Sequence, residues 1–163
     1  MELFERVQLP LVALMILKVY NSPFTNINNL RYTIPMAEEI KKPKIFVVED
    51  DLFMVELLAN ELKNAGLETY SFQMGQQAID QFAELQPDLI VLDLLLSDKN
   101  GFEVLREIRR LPNGVRARVM VLSNMAEDAD KEEAKRLGVQ EYLVKANHSL
   151  PEILAKIQAM LLS

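Results

Sequence analysis

Cysteine is absent from the 163-residue chain, and histidine occurs once, at His148. Disulfides, thiolate nucleophiles, cysteine-bound metals and histidine metal clusters are thereby excluded, and a reducing compartment suits the composition. Basic residues are in deficit: 18 Lys and Arg against 24 Asp and Glu leave a net charge of −6. No basic stripe stands out to neutralise phosphates, which argues against a general nucleic-acid binder. No apolar run reaches the roughly 20 residues that span a bilayer. The nearest, residues 9–17 with a continuation to Tyr20, contains Pro10 and Lys18. It also makes a poor signal peptide, since residues 1–8 hold two glutamates against one arginine and no small-residue cleavage site follows. The expectation is a cytoplasmic protein without a membrane partner.

What is present is enough for one domain with a real core and too little for two ordinary ones. Composition shifts near Pro43. Upstream, asparagines crowd residues 21–29, Pro35 follows, and a charged run ends in Lys41-Lys42-Pro43. Such density reads as loop or disorder. Residues 1–43 are therefore expected to be a poorly ordered N-terminal extension or a start-site artefact, with Met36 as the true start. A docked extra helix and a weak partner-binding segment are the rival readings.

From Lys44 onward, apolar runs of four to six residues alternate with helical patterns of ten to fifteen, the signature of repeated βαβ units. The first helix is predicted over about residues 51–65, with Leu52, Val55, Leu58, Ala59 and Leu62 on its core face and a stop at Gly66. A strand over 68–72, a helix over about 76–85, a helix over 102–110 and another over about 128–137 follow. Ser149-Leu150-Pro151-Glu152 opens the last helix as a capping box, and that helix runs to about Leu162. Five strands and five helices result, and right-handed crossovers put helices on both faces of a parallel sheet. No output domain is expected after the fifth helix.

The strand ends carry the chemistry. Asp93 closes the run Leu89-Ile90-Val91-Leu92, Glu49 and Asp50 follow Lys44-Ile45-Phe46-Val47-Val48, Ser123 follows Val119-Met120-Val121-Leu122, and Lys145 follows Glu141-Tyr142-Leu143-Val144. In an open α/β sheet, ligands bind outside the C-terminal strand ends. Phosphoryl transfer onto a carboxylate needs an acceptor oxygen, a divalent cation and fixed positive groups. Asp93 supplies the acceptor, Glu49 and Asp50 supply hard oxygens suited to Mg²⁺, Lys145 supplies a point charge, and the Ser123 hydroxyl is a donor for a phosphoryl oxygen. Taken singly, each has a plainer reading: Glu49 and Asp50 as helix caps, Ser123 as a loop serine, Tyr142 as a half-buried strand aromatic. His148 reads as a solvated loop residue, and the charged run 127–136 as the wet face of the fourth helix.

Taken together, Ile45-Phe46-Val47-Val48-Glu49-Asp50-Asp51, Pro87-Asp88-Leu89-Ile90-Val91-Leu92-Asp93, Gly101, the run ending at Ser123 and Glu141-Tyr142-Leu143-Val144-Lys145 resemble a response regulator receiver domain of the chemotaxis-regulator type. The likeness covers residues 44–163, about three-quarters of the chain. Ser123 lies 30 residues after Asp93 and Lys145 lies 22 after Ser123, spacings similar to the family's. The resemblance implies a flavodoxin-like (βα)5 doubly wound sheet of strand order 2-1-3-4-5. It makes Asp93 the phosphoacceptor, with Mg²⁺ held by Glu49, Asp50, Asp93 and the Leu95 backbone carbonyl. It makes Ser123 the switch hydroxyl, Tyr142 its coupled aromatic and Lys145 the partner of the acceptor.

Three positions depart from the family pattern. Ser97 stands where proline is common, which predicts a looser loop, and Asn124 follows the switch serine where alanine is usual. Ala146 stands where a proline with a cis bond is typical. A cis bond costs about 2.5–4 kcal/mol without proline, so either a strained cis Lys145–Ala146 bond or a displaced lysine is expected. The leading functional reading is a stand-alone receiver in a phosphorelay, phosphorylated by a sensor histidine kinase or histidine phosphotransfer protein and acting on an unidentified downstream protein. It is not an enzyme in the usual sense. The competing readings are a pseudo-receiver that is never phosphorylated, and a hydrolase with Asp93 as nucleophile. Leu95 disfavours the latter, because aspartyl phosphatases resembling haloacid dehalogenases carry a second acid at that position.

Overall fold

The computed structural model describes residues 42–162, and the expectations for residues 1–41 lie outside them. Five strands, β1 (Lys44–Val48), β2 (Glu68–Phe72), β3 (Leu89–Leu92), β4 (Arg118–Ser123) and β5 (Glu141–Val144), alternate with α1 (Leu52–Asn64), α2 (Gly75–Leu85), α3 (Gly101–Arg110), α4 (Asp128–Arg136) and α5 (Leu150–Leu162). All pairings are parallel, in the order β2-β1-β3-β4-β5. This is the flavodoxin-like arrangement that the alternating pattern and the family resemblance predict.

β1 and β3 are flanked by strands on both sides and by helices on both faces, which is why their sequences are unbroken apolar runs. Phe46, Val48, Ile90, Leu92 and Val119 pack against Ala78, Ile79 and Phe82 of α2 and Val104, Leu105 and Ile108 of α3. Val121 continues that face toward Ala134 of α4. Alternation turns Ile45, Val47, Leu89 and Val91 to the opposite face, where α1 and α5 meet and bury Val55, Leu58, Ala59, Leu62, Ile153 and Ile157. No helix among the described residues is long and apolar enough to cross a membrane.

Two local expectations change. Leu52 is 59% exposed instead of lying in the core. It opens α1 just past the sheet's C-terminal edge, so the inward side of that first turn meets no strand. The second is the loop after β3: despite Ser97, it is tied down by hydrogen bonds described below. Half of the expected capping box forms at α5: the Ser149 N–H donates to the Glu152 carboxylate at 2.7 Å, and the Ser149 hydroxyl donates to the same carboxylate at 2.8 Å.

Arg109 holds the end of the fold opposite the site. Its guanidinium donates to the carbonyls of Gly114, Ala117, Leu137 and Gly138 at 2.6 to 3.0 Å, joining the turn before β4 to the end of α4. Arg109→Met leaves these carbonyls without their donor and is expected to lower unfolding free energy by about 2–4 kcal/mol. Arg109→Lys should recover little, because a single ammonium does not reproduce the planar fork. Urea unfolding with an unchanged m-value checks both.

Candidate functional site

Strand register assembles the site. Val48 pairs with Leu92, and Leu92 with Val121, so one further residue along β1 and β3 brings Glu49 beside Asp93. The Asp93 N–H donates to the Val48 carbonyl at 2.9 Å, continuing the ladder. On the other side Ser123 pairs with Val144, the last residue before Lys145. Because Leu92 pairs with Val121 and Val121 with Tyr142, β4 and β5 run two residues past the ends of β1 and β3, and all four strands deliver a polar residue to the same edge.

Oxygens of Glu49, Asp50 and Asp93 all lie within 4.8 Å of one another. The Lys145 ammonium sits between two of the acids, 2.5 Å from Glu49 Oε2 and 2.6 Å from Asp93 Oδ2. Glu49 and Asp93 are buried, and Ser123 is fully so. Neither alternative expected at residue 146 occurs: the described residues contain no cis peptide, and the lysine reaches its partners. The chain enters a short 3₁₀ turn at Lys145–Asn147, and the lysine that opens it contacts both acids.

Burial pushes the Glu49 carboxyl above its ordinary value and the Asp93 charge adds to this, while Lys145 and the Asp51 N–H pull it back only in part. Burial pulls Lys145 down, but its hydrogen bonds to Asp93 and Glu49 outweigh that and leave it raised. Three carboxylates against one ammonium leave the cluster net negative. Asp50 makes no ion pair among the described residues, so its oxygens are open. Hard oxygens in excess of the local positive charge suit Mg²⁺, which binds one or two carboxylates and keeps several waters.

Two surrounding segments hold this cluster in place. The Leu95 N–H donates to Asp93 Oδ1 at 3.1 Å, Leu95 forms a β-bridge with Asn100, and Asn100 caps α3 through Phe102 N–H at 2.8 Å. Gly101 sits directly under Asp93: a Cβ there would lie 2.4 Å from the Asp93 carbonyl oxygen and 2.7 Å from Leu94 Cα. On the far side, the Met125 N–H approaches Ser123 Oγ at 3.5 Å, and the Tyr142 hydroxyl donates to the Met125 carbonyl at 3.0 Å. Burial, with Asp130 and Asp93 nearby, pushes the Tyr142 phenol up to about 12.

The structure therefore brings Glu49, Asp50, Asp93 and Lys145 into one cluster. Ser123 and Tyr142 lie beside it, linked through the loop after β4, and Leu95, 54% exposed, lies on the adjoining loop. Asp98 is the site-loop residue that sequence reasoning missed as an anchor. Its carboxylate accepts from the Gly75 and Gln76 N–H groups at 2.8 and 3.0 Å, partners too distant in sequence for any local motif to show. The available signal was Met74, which precedes α2 and has no side-chain acceptor to cap it.

Gly101→Ala is expected to destabilise by about 1–3 kcal/mol or more, since backbone atoms must give way; thermal unfolding checks it. Lys145→Met should move the Glu49 titration further up, because burial remains and the main opposing charge is gone. A raised acid means that the folded state binds more protons above pH 4.5 than the unfolded chain does, so stability falls as pH rises from there through the folded midpoint. Carboxyl carbon NMR paired with urea unfolding over that range tests the direction.

The response regulator receiver domain family matches residues 45–158. The phosphate regulon transcriptional regulatory protein PhoB of Rhizobium meliloti is 34% identical over 119 residues, 73% of this chain and 52% of that protein. The cell cycle response regulator CtrA of Brucella ovis is 32% identical over 117 residues, 72% of this chain and 49% of that protein. The chain spans about half the length of these curated relatives. Among solved structures, the non-phosphorylated HemR receiver domain from Leptospira biflexa is 27% identical with a TM-score of 0.68, covering 74% of this chain and 94% of that one. The Vibrio cholerae chemotaxis protein CheY4 shares the fold, with a TM-score of 0.69 at 22% identity over 74% of this chain and 99% of that one. Sequence, topology and the acidic strand-end cluster agree: this chain belongs to the response regulator receiver domain family, the signalling switch of two-component systems.

Proposed function

We propose that the domain is an Mg²⁺-dependent phospho-aspartate switch, phosphorylated on Asp93 by a sensor histidine kinase or histidine phosphotransfer protein and read out by an unidentified downstream protein. The observation that carries this reading is the single contact network in which Lys145 bridges Glu49 and Asp93 while Asp50 stays open beside them. An Asp93 oxygen attacks phosphorus, the phosphorus–nitrogen bond of the donor phosphohistidine breaks, and the electron pair leaves on the imidazole. Bound at Glu49, Asp50, Asp93 and the Leu95 carbonyl, Mg²⁺ would neutralise charge gathering on the phosphoryl oxygens. Lys145 pairs with the acceptor carboxylate and offers its remaining protons to the incoming group. In the reverse discharge water attacks phosphorus and the Asp93 oxygen leaves. The only chemistry is this self-catalysed transfer and hydrolysis.

Ser123 and Tyr142 fit the relay to the surface. The Ser123 hydroxyl donates to a phosphoryl oxygen once one is present. Because Ser123, Met125 and Tyr142 are joined by successive contacts, drawing the serine inward moves the loop before α4 and releases the tyrosine hydroxyl. Phosphorylation thereby biases a two-state surface through new charge and hydrogen bonds.

The test is incubation with acetyl phosphate and Mg²⁺, read by intact mass. One phosphoryl group is expected on the wild-type chain, with none on Asp93→Asn or after chelation. No gain by folded wild-type protein in the presence of Mg²⁺ would overturn the reading and favour an unphosphorylated interaction module.

A further inference from the structure

We propose that Asp98 is a positioning residue for the metal-binding loop: by capping α2 from a distance it clips the segment that carries the Leu95 carbonyl. The inference rests on the Mg²⁺ reading above. A helix starts with N–H groups that have no intrahelical acceptor, and the residue before it normally supplies one. At α2 that residue is Met74, whose backbone is extended as a cap requires but whose side chain makes no capping hydrogen bond. The acceptor comes instead from the loop between β3 and α3. The Asp98 carboxylate takes the Gly75 N–H on Oδ1 and the Gln76 N–H on Oδ2, and its negative charge lies at the positive end of the helix.

The consequence is mechanical. Residues 95–100 form a small closed loop whose base is the Leu95–Asn100 bridge. Its root is pinned by Leu95 to Asp93 and by Gly101 N–H to the Leu94 carbonyl at 3.0 Å. Asp98 pins its tip. Leu96 on the same loop packs into the core, and a Cβ at Gly75 would lie 2.3 Å from Val104 of α3 and 3.2 Å from Leu96. The start of α2 is thus pressed against both the loop and α3, close enough for Asp98 to reach it. The tether compensates for Ser97, which lacks the rigidity of a proline. With it, the loop carbonyl is held before any cation arrives.

A local cap and a loop clip predict different behaviour, and Met74→Asp separates them, since Met74 is exposed and already has cap geometry. Wild type, Asp98→Ala and the Met74→Asp/Asp98→Ala double variant are titrated with Mg²⁺ by amide NMR, and hydrogen exchange is measured without metal. Asp98→Ala should bind Mg²⁺ about tenfold more weakly, the lower end of the loss when a ligand's support is removed. It should also exchange faster at residues 94–100 and at Gly75 and Gln76. The double variant should regain protection at Gly75 and Gln76 while Mg²⁺ binding stays weak. Equal Mg²⁺ affinity in wild type and Asp98→Ala, or full recovery of affinity in the double variant, would overturn the proposal. If wild type itself shows no Mg²⁺ saturation, the metal reading fails. The clip then stands or falls on whether Asp98→Ala speeds exchange at residues 94–100.

Discussion

One ammonium shared by two buried acids governs the site. Lys145 contacts both Glu49 and Asp93, which come from strands neighbouring in space but remote in sequence. Burying such charges is costly unless each is paired. Here the pairing needs β1, β3 and β5 to keep their register, with β5 running two residues past Val48 and Leu92, so sheet register and the charge balance of the site are a single constraint. A slip of one residue in β1 would exchange its two faces, sending Phe46 and Val48 away from α2 and α3 and separating Glu49 from Asp93.

The surroundings of that cluster serve two ends. Gly101, the Leu95–Asn100 bridge and the Asp98 tether stiffen the loop after Asp93, where a cation needs fixed oxygens. The loop after β4 is held differently: Ser123, Met125 and Tyr142 touch through single hydrogen bonds, and Asn124 is exposed between them. A braced loop beside Asp93 and a more lightly held one beside Ser123 would suit the proposed switch, in which the output is a change of surface. In the proposed switch the acceptor lies in a cluster that is net negative, and a bound cation would make a second anion tolerable there.

Much of this was legible in the sequence, for identifiable reasons. The strands were readable because buried parallel strands are unbroken apolar runs. The site residues were readable because each ends such a run. Leu52 was misread because periodicity shows the face of a helix but not how far the helix extends past the sheet. At Ala146 the motif implied a backbone whose proline this chain lacks, which left a strained cis bond or a displaced lysine as the expectations; the bond is trans and the flexible lysine still reaches both acids. Asp98 and Arg109 could not be picked out as anchors: their partners are backbone groups brought close only by the tertiary fold, and Met74 signals that α2 lacks a local cap without showing which residue supplies one.

In the proposed switch, Asp93, the acidic cluster and Lys145 together accept a tetrahedral phosphoryl group with Mg²⁺. The most direct measurement is fluorine NMR of the protein with beryllofluoride, a stand-in for that group, with amide signals of Ser123 and Tyr142 followed in parallel. The account predicts a bound fluoride signal that requires Mg²⁺ and Asp93, accompanied by shifts at both amides. Folded wild-type protein that shows no bound signal at saturating Mg²⁺ would contradict it.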